Sequence, residues 1–167
     1  MTKVFIWTLL VTSTLTACRP ESRKEQTDNG QGQLKYDTTK TAIISWDRTF
    51  NYPFDSINYQ AATVTQEDIN QIDSLLISGV TAYNNSLTDG HEDYKIDLKS
   101  KDYKKQLIAV TNSKGEKEIW VNCFCDDWDK SWKREILVVH DGGPCFFNFK
   151  INLTTKKIYD FGVNGFA

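Results

Sequence analysis

The hydrophobic positions of residues 66–84 repeat at steps of three and four, which is the spacing of one face of an α-helix. Polar and charged residues occupy most of the positions between them. The apolar members of the stripe are Ile69, Ile72, Leu76, Val80 and Tyr83. The pattern therefore predicts an amphipathic helix whose apolar face packs against the rest of its domain.

The residues around position 65 are typical of a helix start. Thr65 suits the N-cap position, and Asp68 follows three residues later to complete a capping box. Val64 and Ile69 are spaced to pack against each other as a hydrophobic staple. Gly79 weakens the helix interior by about 1 kcal/mol relative to alanine. We therefore expect the backbone of another element to pass close to it.

From residue 105 onward the hydrophobic period changes to two, which predicts β-strands. The predicted strands span residues 107–111, 118–125, 135–140, 145–153 and 157–163. A loop containing Gly115 joins the first two strands and a short polar turn joins the last two, so both pairs are expected to be antiparallel. Residues 43–46 are a possible further strand at the edge of the sheet.

Two of these strands carry continuous apolar rows on one face, and we expect both rows to face the helix. The rows are Ile119, Val121, Cys123 and Cys125, and Cys145, Phe147, Phe149, Ile151 and Leu153. The sequence thus predicts an α+β domain with one amphipathic helix packed on a curved antiparallel sheet of about five strands. This order of elements resembles the cystatin-like and NTF2-like folds, which host inhibitors, binding modules, immunity proteins and some enzymes.

The first 17 residues follow the plan of an export signal, with Lys3, then a mainly apolar stretch, then small residues. The apolar stretch is shorter than the about 20 residues that span a bilayer. The tetrad Leu15-Thr16-Ala17-Cys18 resembles the lipobox of bacterial lipoproteins. That resemblance implies that residues 1–17 are cleaved off and that Cys18 carries the lipid anchor. A plain secretory signal is the alternative, but Leu15 stands where such a site needs a small side chain.

The residue after the lipobox indicates which of the two membranes would hold the protein. Arg19 stands where an Asp retains many lipoproteins in the inner membrane, so the resemblance implies the outer membrane. Both the periplasmic and the outer surface stay open as the side that the domain faces. Acyl chains, at about 0.8 kcal/mol per buried methylene, hold a protein on a membrane without any apolar protein surface.

Composition divides the chain into three parts. Residues 1–17 are the signal. Residues 18–33 contain no aliphatic or aromatic side chain apart from the ring of Pro20 and are expected to be a flexible tether. Residues 34–167 suit a single globular domain. Without the signal, which contains one of the 20 basic residues and none of the 22 acidic ones, the formal net charge is −3. This balance does not indicate a nucleic-acid partner.

Three cysteines remain after Cys18, an odd number for an oxidising compartment. A disulfide between Cys145 and either Cys123 or Cys125 is sterically easier than one between the latter two, which lie two residues apart on one strand. A zinc site using the three cysteines and His140 is the alternative, although the paired short spacings of structural zinc sites are missing.

The segment Asp126-Asp127-Trp128-Asp129 clusters carboxylates, yet it does not fit a calcium loop because Trp132 stands where the EF-hand has glycine. Trp128 and Trp132 are four residues apart and would stack on one side of a helical turn. They either cover the end of the sheet or form an exposed recognition patch. In the second case, loss of either ring should abolish binding of a partner.

His140 and Asp141 stand together before Gly142-Gly143-Pro144 and are candidates for acid-base chemistry or binding. The alternative is a tight loop at a strand end, in which the glycines relieve backbone strain. No nucleophile elbow, phosphate loop or zinc-binding helix accompanies His140 or His91. The sequence therefore identifies no catalytic residues, metal ligands or cofactor.

Two short segments, Asp37-Thr38-Thr39 and Asp55-Ser56-Ile57, are similar to acceptor sequences for O-glycosylation on exported proteins of some bacteria.

Two classes of function follow from these observations. The first is a non-catalytic binding or interaction module on the cell envelope, whose ligand is a protein, a glycan or a small molecule. The second is a hydrolase or thiol enzyme of the envelope that uses His140, Asp141 or a free cysteine. The environment of His140 distinguishes them, because an enzyme needs a polar pocket that converges on it.

Overall fold

The computed structural model describes residues 34–49, 51–126 and 130–166. The signal, Cys18, the tether and Trp128 lie outside the described residues, so the predictions about them stay predictions. Within the described ranges the chain forms one α-helix and a six-stranded, mostly antiparallel sheet, which confirms the predicted α+β class. No helix in these ranges is long and apolar enough to cross a bilayer.

Helix α1 spans Gln66–Ser86 and begins as the sequence predicts. The Thr65 hydroxyl accepts a hydrogen bond from the Asp68 amide at 3.2 Å, and the Asp68 carboxylate accepts one from the Thr65 amide at 2.7 Å. The same carboxylate pairs with Lys117 Nζ at 2.7 Å. The capping box therefore also ties the start of the helix to the sheet.

The strands are β1 Thr41–Ile43, β2 Tyr59–Ala61, β3 Lys104–Asn112, β4 Lys117–Phe124, β5 Phe146–Asn152 and β6 Lys157–Val163. Their order in the sheet is β1-β3-β4-β5-β6, and β2 also pairs with β3. β1 runs parallel to β3, whereas all other pairs are antiparallel. The predicted edge strand over residues 43–46 is thus displaced, because β1 ends at Ile43 and the chain leaves the sheet before Trp46.

The helix-facing side of the sheet matches the sequence pattern. All five residues of the predicted helix stripe and the two strand rows, except the cysteines of the disulfide, belong to one apolar core. The reason for a glycine at position 79 differs from our expectation. A Cβ atom there would lie 2.9 Å from Ile158 Cδ1 and 3.5 Å from the Phe161 ring, so the close neighbours are side chains of β6 and not a backbone.

The other side of the sheet, here called the second face, is also covered. Residues 44–49, 51–58 and 130–145 lie over it and contribute to two further apolar clusters. The buried members of these clusters are Ala42, Trp46, Phe54, Ile108, Val110, Trp120, Phe124, Trp132 and Leu137. The central strands β3 and β4 are therefore buried on both faces.

The predicted strand over residues 135–140 is wrong, because this segment pairs with no strand of the described sheet. Side chains hold it on the second face instead. Gln106 Nε2 donates to the carbonyls of Trp132 and Glu135, and Gln106 Oε1 accepts from the Leu137 amide at 2.9 Å. Asn122 Nδ2 donates to Gln106 Oε1 at 3.0 Å and to the Leu137 carbonyl at 2.8 Å. Two buried amides thus replace a ladder of backbone hydrogen bonds.

A disulfide joins Cys125 to Cys145, which confirms the predicted bridge from Cys145 and selects one of its two possible partners. The Cα atoms are 5.0 Å apart, and the Cys125 amide donates to the Cys145 carbonyl at 3.0 Å. The bridge therefore lies one step beyond Phe124 and Phe146, the last pair of the β4–β5 ladder. It closes the segment that covers the second face.

Candidate ligand-binding groove

An open groove of about 670 Å³ lies on the second face. Its lining residues are Ile44, Ser45, Trp46, Asp47, Tyr52, Ile108, Arg134, Glu135, Ile136 and Val138. They come from three parts of the chain: the segment after β1, the middle of β3, and the segment that Gln106 and Asn122 hold. The groove therefore forms only when the segment after β1 and the segment that Gln106 and Asn122 hold are both in place on the second face.

The local sequence explains the apolar lining. Ile108 points to the second face because its neighbours Leu107 and Ala109 belong to the core on the helix side. Ile136 and Val138 alternate with Leu137, whose side chain is buried against Phe124 and Trp132. Successive side chains of this segment therefore point to opposite sides, with Leu137 in the core and its two neighbours in the groove.

Trp46 combines burial with an unused hydrogen-bond donor. Its side chain is packed with Phe54, Ile108 and Trp120, and the residue is 8% exposed. Its indole Nε1 is covered from solvent and has no acceptor among the described residues. A buried donor without an acceptor costs about 1–3 kcal/mol. Trp120, by contrast, donates from its Nε1 to Asn148 Oδ1 at 3.3 Å.

The rim of the groove exposes apolar surface next to charge. Tyr52 is 45% exposed and Val138 is 56% exposed, although both are large hydrophobic residues. Arg134 and Glu135 are exposed beside them. Asp47 accepts hydrogen bonds from the amide and hydroxyl of Thr49, which lower the pKa of its carboxyl group. The groove is thus an apolar cleft whose exposed rim also carries acidic and basic side chains.

Trp132, one of the candidate recognition residues, lies in the core. It is 3% exposed, and its ring packs edge-on against Phe124 at a centroid distance of 5.3 Å. The ammonium groups of Lys104 and Lys133 lie 5.9 and 5.4 Å from the ring centroid. This position agrees with the covering role and not with an exposed patch, while its predicted partner Trp128 lies outside the described residues.

His140 and Asp141 are exposed at the end of the covering segment. Within the described ranges the His140 side chain makes no hydrogen bond or ion pair, and it does not line the groove. The next two residues form a tight loop, but the strand that was expected to end there is absent from the described sheet. Gly142 and Gly143 have φ of +87° and +57°, and a Cβ atom on either would lie within 2.6 Å of the ring of Phe146 or Phe166.

Cys123 is the free cysteine of the described chain, and it is 1% exposed. Burial raises the pKa of its thiol well above the ordinary value, so the thiolate is scarce at neutral pH. The disulfide removes the other two thiols from any zinc site, which contradicts the site of three cysteines and His140.

A buried carboxylate that the sequence did not indicate lies near the other end of the second face. Glu118 is 5% exposed and accepts hydrogen bonds from the hydroxyls of Tyr59 and Tyr159 and, at 2.6 Å, from Asn112 Nδ2. Burial, together with the Glu118 carboxylate, raises the pKa of both tyrosines. These groups satisfy one another and do not line the groove on the second face, so we interpret the cluster as structural.

Two other cavities are less suited than this groove to bind a ligand. One, of about 250 Å³ near residues 35–41, is polar, and its Lys40 and Lys105 pair with Asp102 and Asp73. The other, of about 580 Å³, is a shallow cleft between α1 and β6 that lies over Gly79. Neither contains a buried polar atom that lacks a partner.

Comparison with known proteins gave no match to this chain: no family model, no curated protein and no solved structure is significantly similar to it.

Proposed function

We propose that this chain is a lipid-anchored, non-catalytic binding module of the cell envelope, and that it holds a small, largely apolar ligand in the groove on its second face. The observation that carries the proposal is the groove itself, an apolar cleft framed by Trp46, Ile108 and Ile136 with two exposed hydrophobic residues at its mouth. Its volume of about 670 Å³ lies within the about 300–1,000 Å³ typical of small-molecule sites.

The polar groups narrow the chemistry of the ligand. The indole N–H of Trp46 lacks an acceptor, so a ligand oxygen that reached it after a small displacement of the covering atoms would recover a hydrogen bond. The charged residues of the lining, Asp47, Arg134 and Glu135, are all exposed to solvent. A carbonyl or ether oxygen on an aromatic or aliphatic body fits this arrangement better than a highly charged ligand.

The alternative enzyme class has less support. His140 is exposed and lies outside the groove, and the thiol of Cys123 is buried and protonated. Within the described chain no group of three or more His, Cys, Asp or Glu residues is arranged to hold a metal ion. A hydrolase or thiol enzyme would have to place its nucleophile and base in one pocket.

The envelope location rests on the lipobox. Cys18 would carry acyl chains, and residues 19–33 would connect the anchor to the domain. Arg19 after the cysteine favours the outer membrane. The partners of the module would then be the membrane, through the lipid, and a small ligand from the surrounding envelope.

The groove can be tested with N-phenyl-1-naphthylamine, a neutral aromatic probe whose fluorescence rises in apolar surroundings. We expect Val138→Glu to weaken probe binding at least tenfold, because the new carboxylate would stand in the apolar mouth. Val138 is already 56% exposed, so the variant should keep the melting temperature of the wild type. A fluorescence titration measures the dissociation constants.

Ile77→Glu is the matched control, since Ile77 is 60% exposed on α1 and lies outside the groove. This variant and His140→Ala should bind the probe as the wild type does. Equal binding by Val138→Glu, or equal loss in Val138→Glu and Ile77→Glu, would contradict the proposed site.

The anchor is tested separately by Cys18→Ala. Metabolic labelling with an acyl-chain analogue should mark the wild type and not the variant, and the variant should accumulate as an uncleaved precursor. Labelling of both proteins to the same extent is incompatible with a lipid on Cys18.

A further inference from the structure

A small cavity, here called the side cavity, lies beside the groove on the second face. It has a volume of about 30 Å³, and Tyr52 and Val138 line it as well as the groove. Asn122, Asn148 and Asn164 also line it. Because a single water needs about 10–15 Å³, the side cavity has room for about two polar atoms. The two cavities together thus offer an apolar site with a polar end.

The sheet places two of these asparagines side by side. Asn122 on β4 pairs with Gln106 on β3 at one side and with Asn148 on β5 at the other. Asn122 Nδ2 donates to Gln106 Oε1 at 3.0 Å, so the nitrogen end of this amide is directed toward β3. Its Oδ1 is consequently on the side of Asn148. Asn122 is 9% exposed, and Asn148 and Asn164 are partly buried, so polar groups in the side cavity are largely withdrawn from water.

Hydrogen-bond partners fix which end of each amide is nitrogen and which is oxygen. Asn122 Nδ2 also donates to the Leu137 carbonyl at 2.8 Å. Asn164 Nδ2 donates to the carbonyls of Val139 at 2.6 Å and Asp141 at 3.0 Å. Since a backbone carbonyl can only accept, neither amide can be turned round.

The amide of Asn148 is fixed in the opposite sense. Its Oδ1 accepts from Trp120 Nε1 at 3.3 Å, and an indole nitrogen can only donate. The other end of each of the three amides makes no hydrogen bond to a residue that the structure describes. These ends are Asn122 Oδ1, Asn164 Oδ1 and Asn148 Nδ2. The side cavity therefore offers two acceptors and one donor to a ligand.

We propose that the side cavity receives the polar head of the ligand that the groove binds, and that this head is a primary carboxamide. The nitrogen of a primary carboxamide carries two donors, which match Asn122 Oδ1 and Asn164 Oδ1, and its oxygen accepts from Asn148 Nδ2. The apolar body of the ligand passes between Tyr52 and Val138 into the groove. This inference rests on the proposed binding function and names the chemical class of its ligand.

Other small polar heads match the side cavity less well. A carboxylate has only acceptors, so it would face two amide oxygens without a hydrogen to share. A tertiary amide also lacks N–H donors, and its two alkyl groups need more room than the side cavity has. An ammonium group has donors but leaves Asn148 Nδ2 without an acceptor. A buried polar group that is left unpaired weakens binding, so each mismatch favours the primary carboxamide.

The head is tested with three probes that share one phenyl body: 3-phenylpropanamide, its N,N-dimethyl amide and 3-phenylpropanoate at neutral pH. Displacement of N-phenyl-1-naphthylamine measures their affinities. We expect the primary amide to bind about tenfold more tightly than either of the others, the value of one to two net hydrogen bonds. The primary amide should also shift the side-chain amide signals of Asn148 in a ¹H–¹⁵N spectrum.

Asn148→Asp assigns those signals, since it removes them, and it tests the donor. The new carboxylate still accepts from Trp120 Nε1 but replaces the free donor by an acceptor. We expect this variant to bind the primary amide and the dimethyl amide equally, with its affinity for the naphthylamine within about twofold of the wild type. Asn70→Asp is the matched control, because Asn70 is exposed on α1 and lines neither the groove nor the side cavity. It should keep the preference for the primary amide.

The outcomes separate this inference from the groove on which it rests. Equal affinity of the wild type for the primary and dimethyl amides, with the naphthylamine displaced by both, overturns the carboxamide head and leaves the groove in place. The side cavity would then hold ordered water only. The comparison of probes on the wild type does not depend on the folding of any variant. Failure of the naphthylamine itself to bind overturns the groove and the head together.

Discussion

Replacement of Gln106 by alanine is expected to lower the free energy of unfolding by about 3–5 kcal/mol, since each buried polar group left unpaired costs about 1–3 kcal/mol. Gln106 is fully buried, and its amide satisfies the carbonyls of Trp132 and Glu135 and the amide of Leu137. The alanine variant leaves these groups on the second face without partners. Urea denaturation followed by tryptophan fluorescence measures the change.

Gln60→Ala is the matched control, because Gln60 is exposed on β2. It should change the unfolding free energy by less than about 0.5 kcal/mol. Gln106→Ala should in addition weaken probe binding under conditions in which it remains folded, since Ile136 and Val138 lose their support. A loss of stability below about 1 kcal/mol would show that the covering segment is held by other contacts.

The second large effect concerns the disulfide. Cys145→Ala should lower the free energy of unfolding of the oxidised protein by about 3 kcal/mol, because the bridge closes a loop of 20 residues in the unfolded chain. The covering segment with Trp132 and Leu137 lies within that loop, so it should also become the first part to exchange amide hydrogens. Thermal melting and hydrogen exchange measure the two effects.

Reduced wild type and reduced Cys145→Ala should differ little, since neither contains the bridge. A thiol titration of unfolded, non-reduced protein from the native envelope provides an independent check. It should give one thiol, that of Cys123, if Cys18 is acylated. Three reactive thiols would contradict the bridge.

The sequence predicted the helix and the helix-facing side of the sheet well. The reason is that the apolar residues on one face of each of these elements all lie in the same core. The stripe on α1 and the rows on β4 and β5 repeat with the period of their element, and Thr65 and Asp68 carry a local start signal. These features can be recognised from residues that are close together in the sequence. The short β1 and β2 lacked such a pattern, and their partners on β3 are far away in the sequence.

The second face could not be predicted in the same way. Residues 135–140 contain a short run of aliphatic residues, as a buried strand does, but Gln106 and Asn122 bind their backbone and hold them without strand pairing. Nothing in the local sequence indicates that two amides about 30 and 15 residues earlier will do so. The groove could not be predicted for the same reason, because it forms only when the two covering segments lie side by side.

The candidate residues named from the sequence were chosen for their chemistry and not for their position. Trp132, a candidate for binding, is buried and fits the alternative covering role, and the glycines after His140 form a tight loop without the strand that was expected before it. Trp46 was missed because it was assigned to a strand. The resemblance to cystatin-like and NTF2-like folds stays a prediction.

The most direct test of the ligand groove follows the indole N–H of Trp46 by ¹H–¹⁵N NMR, with its signal assigned as the one lost in Trp46→Phe. Acetophenone and ethylbenzene are probes of similar size, of which only the first has an oxygen acceptor. Acetophenone should shift the Trp46 signal downfield and bind about three- to tenfold more tightly than ethylbenzene, the value of one net hydrogen bond. In Trp46→Phe the two probes should bind equally. The account is contradicted if neither probe changes the signals of Trp46 and Val138 at concentrations that saturate a millimolar site.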